Sequence, residues 1–190
     1  MGKAKKVVKL IVFDMDETIG AFTALSRDLI AIQPHLQNYA LIKHLIDTNP
    51  DYIRPHMLEI LKQVYTAKMF HALTVVLYTS NPNSDWVLMM LHYINNKIHA
   101  TKPLFDYVLD ASQRTTPDKC VQDLLDRTNI RPKQTQDLRI FFVDDQYHAG
   151  MITKEVVYFH ITPYREPNPN DVHASELLFA ELREFINNNG

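Results

Sequence analysis

Runs of apolar residues recur along the chain, and several end abruptly in polar residues. Val7 to Phe13 is β-branched, aromatic and nearly continuous; Leu73 to Tyr78, Arg139 to Val143 and Val156 to Ile161 follow the same pattern, with Tyr107 to Leu109 as a shorter member. Such runs predict strands buried on both faces, as in a parallel sheet. Between them the apolar residues fall at helical spacing. Leu41, Ile42, Leu45 and Ile46 mark a helix over His35 to Asp47; Leu58, Leu61, Val64 and Tyr65 mark one over Pro55 to Lys68. Val87, Met90, Leu91 and Ile94 mark a third over Ser84 to Lys97, with Ser84 as its cap. Thr116-Pro117 predicts an N-cap followed by proline at the first helical position, opening a helix through Lys119, Val121, Leu124 and Leu125. A last helix runs from Ser175 to Ile186. Strands alternating with helices give an α/β, Rossmann-like doubly wound parallel sheet with helices on both faces and right-handed crossovers. The stretch from Gly20 to about Arg54 is long for a crossover and predicts a small helical insert after the first strand, within a single domain spanning residues 1–190.

Composition narrows the class. Apolar residues make up 46% of the 190 residues and charged residues 22%, as expected of a globular chain with a real core. A net charge of −2 lacks the basic excess of a nucleic-acid binder. Cys120 is the single cysteine, which leaves no internal disulfide and suits a reducing compartment. No stretch approaches the ~20 apolar residues that cross a bilayer. Lys3, Lys5, Lys6 and Lys9 precede an apolar run that ends in Asp14 and Asp16, where a signal peptide would not place carboxylates. The expectation is an intracellular monomer, cytoplasmic or nuclear, with neither nucleic acid nor membrane as partner; the lysines read as a solvated basic tip rather than a nuclear address.

The chemistry sits where the strands end. Val7 to Phe13 runs into Asp14-Met15-Asp16-Glu17-Thr18, Leu73 to Tyr78 into Thr79-Ser80-Asn81, and Arg139 to Val143 into Asp144-Asp145. Ligand sites of open parallel sheets lie at the carboxyl ends of the strands, so these three clusters converge on one place. Asp14, Asp16, Asp144 and Asp145 would then crowd several negative charges together, and a hard divalent cation resolves their repulsion. A few oxygen ligands, completed by water and phosphate, describe Mg²⁺. A metal beside a carboxylate suits phosphoryl transfer, in which a carboxylate can act as nucleophile and a second carboxyl as acid and base.

Asp14-Met15-Asp16-Glu17-Thr18 resembles the first motif of the haloacid-dehalogenase superfamily, Asp-x-Asp-x-Thr. The run ending in Thr79 resembles its second motif, Lys119 its third-motif lysine, and Phe141 to Asp145 its fourth, all in the right order. The Asp-x-Asp-Glu-Thr form, Arg54-Pro55 and Leu77-Tyr78-Thr79 are similar to the phosphatases of the RNA polymerase II C-terminal domain, the NLI-interacting-factor-like group. The likeness covers most of the chain from Lys6 to about Asp145. It departs at Met15, where that group has Leu, and at Asp144-Asp145-Gln146, where it has Asp-Asn-Ser.

The resemblance implies a Mg²⁺-dependent phosphatase acting through an aspartyl-phosphate. Asp14 attacks phosphorus and touches Mg²⁺; Asp16 is the acid and base, with its backbone carbonyl on the metal. Thr79 and Lys119 hold the phosphate, Lys119 also neutralising the nucleophile. Asp144 binds the metal directly, Asp145 through water, and Thr18 orders the loop after the first strand. Thr18, Ser80 and Asn81 join Thr79 and Lys119 in the substrate-binding set, and Ser80 rivals Thr79 as the second-motif hydroxyl. His148 is within reach of a substrate, though a loop histidine ordinarily faces solvent. His35, His44, His56, His71, His92 and His99 show no metal spacing and read as structural or exposed, and Cys120 as a buried, inert thiol. The substrate is a phosphoprotein, phosphoserine or phosphothreonine in a polymerase-like tail. The alternatives are a small metabolite or nucleotide ester, should the insert form a lid, and a catalytically weak module that binds a phosphorylated partner.

Overall fold

The computed structural model describes residues 6–32 and 38–188; the expectations placed on Lys3, Lys5 and His35 lie outside them. Five strands, β1 (Lys6–Phe13), β2 (Leu73–Tyr78), β3 (Tyr107–Leu109), β4 (Gln136–Asp144) and β5 (Val156–His160), form one sheet in the order β3-β2-β1-β4-β5. Every pairing is parallel. The helices are α1 (Phe22–Ile32), α2 (Tyr39–Thr48), α3 (Met57–Phe70), α4 (Ser84–Lys97), α5 (Val121–Thr128) and α6 (His173–Asn187). Helices α1 and α2 occupy the stretch after β1 where the sequence predicts an insert.

Strand alternation divides the core into two unequal halves. Ile11, Phe13, Val75, Leu77, Phe141 and Val143 face one side, where buried residues of α1, α2, α3, α4 and α6 cover them. Leu10, Val12, Val76, Tyr78, Ile140 and Phe142 face the other, where Leu124 of α5 is the buried helical partner. The sheet therefore has a thick face and a thin one. Among the described residues, no helix is long and apolar enough to cross a membrane.

The structure corrects three local expectations. Helix α4 is capped by Asn83, which accepts from Trp86 N at 3.0 Å; Ser84 lies inside the helix and donates instead to Asp110 at 2.5 Å. Helix α5 starts at Val121 behind a Cys120 cap, not at Thr116-Pro117, so Lys119 precedes the helix. The capping pattern loses because Asp123 draws the Thr115 N–H and hydroxyl to itself, at 3.2 and 2.7 Å, and holds the segment open. Lys9 is no solvated tip: its ammonium donates to the Phe185 and Ile186 carbonyls at 3.1 and 2.9 Å, in the last turn of α6.

One buried residue ties the loops above the sheet. Arg54 is 1% exposed. Its guanidinium donates to the carbonyls of Thr18 (2.9 Å), Glu17 (2.7 Å) and Thr162 (2.6 Å), pairs with Asp171 at 3.2 Å and packs 4.9 Å from the Tyr164 ring centre. Glu17 takes a left-handed backbone (φ 63°), unfavourable for a residue with a side chain, and Arg54 holds its carbonyl in place. A lysine cannot reproduce this fork. Arg54→Lys should lower stability by about 3 kcal/mol, roughly 10 °C in Tm for a chain of this size, measured by thermal unfolding; an unchanged Tm would show that the clamp is dispensable.

Candidate active site

The strand order reverses direction between β1 and β4, and the acidic residues gather at this switch point. Phe13 pairs with Val143 in register, and Asp14 N continues the ladder to the Val143 carbonyl at 2.9 Å, which sets Asp14 beside Asp144. Met15 is fully buried in the thick-face core. It anchors the segment between the two aspartates.

Asp14 (5% exposed), Asp144 (1%) and Asp145 (6%) are buried, and each offers a carboxylate oxygen within 4.8 Å of the others. The Asp16 side chain is not in that group; its carboxylate accepts from Asn81 Nδ2 at 3.0 Å and borders the cleft. Lys119, 1% exposed, bridges the two strand ends, with Nζ 2.5 Å from Asp14 Oδ1 and 2.6 Å from Asp144 Oδ2. Thr18 is fully buried, and its hydroxyl exchanges hydrogen bonds with Asp145, donating to Oδ1 at 3.2 Å and accepting from the backbone N–H at 3.1 Å. Thr18 thus ties the loop after β1 to the end of β4, and it is not among the residues lining the cleft. Thr79 is buried and accepts from Asn81 N at 3.1 Å, while Ser80 is exposed; Ser80 and Asn81, not Thr79, line the cleft with Asp14 and Asp16. The cleft holds about 630 Å³, and α1 forms one wall through Phe22, Thr23, Ser26, Arg27 and Ile30.

Electrostatics separates the carboxyls. Burial pushes Asp14 up to about 7; the Lys119 ammonium pulls against it and the Asp144 charge adds to it. Burial likewise raises Asp16 to about 6, opposed by the Asn81 amide. Burial, followed by the Asp144 charge, raises Asp145. Asp144 goes the other way: burial would raise it, but the nearby His148 ring and Lys119 outweigh that and hold it below the ordinary carboxylate range.

His148 is not a surface residue. It is 5% exposed, with Nε2 3.4 Å from Asp144 Oδ2 and its ring against Phe142. Loop sequence carries no periodicity, so burial there leaves no pattern to read. The Cys120 thiol is half-buried and caps α5, accepting from Asp123 N at 3.4 Å, rather than being wholly enclosed. His44, His56, His71, His92 and His99 are exposed, as expected.

Three clustered carboxylates are an all-oxygen donor set of the kind a hard divalent cation prefers, and Asp14, Asp144 and Asp145 are the residues that could hold one. Without a cation, the folded chain keeps protons on Asp14 and Asp16 that the unfolded chain releases near pH 4. The folded state then binds more protons between about pH 4 and 7, so stability falls as pH rises through that window. In chelator, Tm should drop by several degrees across it, and excess Mg²⁺ should raise Tm more at the alkaline end than at the acid end. A Tm that climbs with pH in chelator would contradict this ordering of the carboxyls.

No family model matches the chain, and no curated protein matches it. Among solved structures, it is similar to the haloacid-dehalogenase domain of the effector protein Lem4 from Legionella pneumophila, with 13% identity, a TM-score of 0.54, and coverage of 96% of this chain and 97% of that one. An inactive mutant of the same domain gives 13% identity and a TM-score of 0.52, over 96% of each chain. A haloacid-dehalogenase-superfamily hydrolase from Geobacter sulfurreducens overlaps more loosely, at 15% identity and a TM-score of 0.41, over 75% of this chain and 82% of that one. The five-stranded parallel sheet, its helices and this near-complete overlay establish one thing together: the chain has the fold of a haloacid-dehalogenase domain.

Proposed function

We propose that the chain is a Mg²⁺-dependent phosphatase that hydrolyses a phosphate monoester through an aspartyl-phosphate on Asp14. The observation that carries this reading is the buried Asp14–Lys119–Asp144 bridge at the switch point, with Asp16 raised to about 6 on the cleft wall beside it. A bound Mg²⁺ on Asp14, Asp144 and Asp145 would supply the positive charge that keeps the nucleophile ionised and neutralises the phosphoryl oxygens.

The chain's own residues divide the work. An Asp14 carboxylate oxygen attacks phosphorus, and the bond from phosphorus to the leaving oxygen breaks. The Asp16 carboxyl, titrating near neutrality, gives its proton to that oxygen; as a carboxylate it then takes a proton from water, which attacks phosphorus and releases Asp14. Lys119 offers its ammonium to the phosphoryl group as charge builds. Ser80 and Asn81 face the cleft and, with Thr79 behind them, supply hydroxyl and amide donors. Thr18 acts on the site through Asp145.

For substrate we favour a phosphoprotein, phosphoserine or phosphothreonine in an exposed tail such as that of a polymerase, because the site opens to a cleft along which an extended segment can lie. The α1 wall beside Asp14 and Asp16 supports the second reading, a small phosphate ester enclosed against that helix.

Hydrolysis of an aryl phosphate, with Mg²⁺ and with chelator, is the first test. Turnover should require the cation, and Asp14→Asn should lower kcat by at least 10³-fold while leaving the chain folded. Activity that survives Asp14→Asn would defeat the mechanism. Comparing kcat/KM for phosphopeptides with that for sugar and nucleoside phosphates then decides between the two substrate classes.

A further inference from the structure

Lys119 does not stand on a helix or strand; it sits in an irregular segment between β3 and α5. Fixing a long, flexible ammonium side chain between two buried carboxylates from such a segment needs an independent constraint. The structure supplies one on the thin face of the sheet. Asp123, in the first turn of α5 and 3% exposed, accepts from the Tyr78 hydroxyl at 2.9 Å. Its other oxygen accepts from the Thr115 hydroxyl at 2.7 Å and the Thr115 N–H at 3.2 Å, with Arg127 3.7 Å away. The Tyr78 oxygen in turn accepts from Cys120 N at 3.4 Å. One end of the segment carrying Lys119 is thus fastened to β2 through the Asp123 carboxylate, and the other through the Tyr78 oxygen itself.

The same tyrosine meets the lysine directly. Lys119 Nζ lies 5.8 Å from the centre of the Tyr78 ring and 5.9 Å from that of Phe142, between two aromatic residues that favour a cation. Gly150 packs against the backbone of the same segment: a Cβ there would come within 2.5 Å of Cys120 Cβ and 2.8 Å of the Lys119 carbonyl oxygen.

We propose that Asp123 and the Tyr78 hydroxyl form a latch that positions Lys119, setting its ammonium between Asp14 and Asp144. Neither group touches the reacting atoms; both act through Lys119. The consequence for catalysis rests on the phosphatase reading above, whereas the consequence for where Lys119 sits does not.

The test compares Asp123→Asn and Tyr78→Phe with Leu182→Ala, a variant in the opposite core. Tyr78→Phe keeps the ring under Lys119 and removes only the hydroxyl, with its bonds to Asp123 and from Cys120 N, so it also serves if Asp123→Asn fails to fold. Lys119 labelling by an amine-reactive reagent is read by mass spectrometry under conditions where circular dichroism shows the chain folded. Turnover of an aryl phosphate with Mg²⁺ is measured in parallel. In the native chain Lys119 should resist labelling. Either latch variant should make it reactive and lower kcat by roughly 10- to 10²-fold, the scale expected for a group displaced by about an ångström. Leu182→Ala, at a comparable loss of Tm, should leave Lys119 protected. Protection unchanged in both latch variants, or equal labelling in Leu182→Ala, would overturn the latch. A native chain that hydrolyses nothing would remove the phosphatase reading, and the labelling result would still decide whether the latch exists.

Discussion

The buried ammonium of Lys119, shared between Asp14 and Asp144, is the constraint on which the rest of the site depends. Burying either carboxylate alone is unfavourable, and burying both side by side is worse. One cation between them compensates part of that cost. The excess negative charge remains with Asp145 and with the Asp16 side chain, which stands on the cleft wall. An acidic site held by a single organic cation is balanced for one positive partner and still short of charge for a second. That surplus of negative charge is of the kind a hard divalent cation would offset.

Around this centre the protein uses buried polar ties in place of extra secondary structure. Arg54 gathers Glu17, Thr18 and Thr162, and Thr18 joins the loop after β1 to the end of β4 through Asp145. Asp123 does the same for the segment that brings in Lys119. The Thr18–Asp145 and Tyr78–Asp123 bonds are buried and join residues far apart in sequence, so water competes little for them. Loops fixed in this way can carry a site as exactingly as strands do.

How far the sequence reveals this follows from the range of the interactions. The strands were readable because continuous apolar runs report burial locally: β2 and β3 have the bounds the pattern predicts, and β1, β4 and β5 differ by a few residues at their ends. The meeting of Asp14 with Asp144 and Asp145 follows from strand ends and the topology of parallel sheets, without knowledge of any side-chain contact. What failed was short-range inference overruled by a distant partner. Thr116-Pro117 has the form of a helix start, but Asp123 and Tyr78 hold that segment open. His148 has the form of a loop residue, but Phe142 and Asp144 enclose it. Ser84 lost its cap role to Asn83 because its hydroxyl reaches Asp110, 26 residues on.

The strand order has a consequence for how the molecule comes into being. β1 is central, and its neighbour on one side is β4, whose first residue comes more than a hundred positions later. Until β4 arrives, β1 presents an apolar strand with one open edge, the kind of surface that invites pairing with the wrong chain. The same delay separates Asp14 from Lys119 and Asp144, so the first carboxylate of the cluster is made early and the ammonium that pairs with it late. A growing or half-folded chain therefore carries no assembled centre. The cluster is complete only when the last pieces of the sheet close beside the first, so that its assembly becomes a report on completed folding.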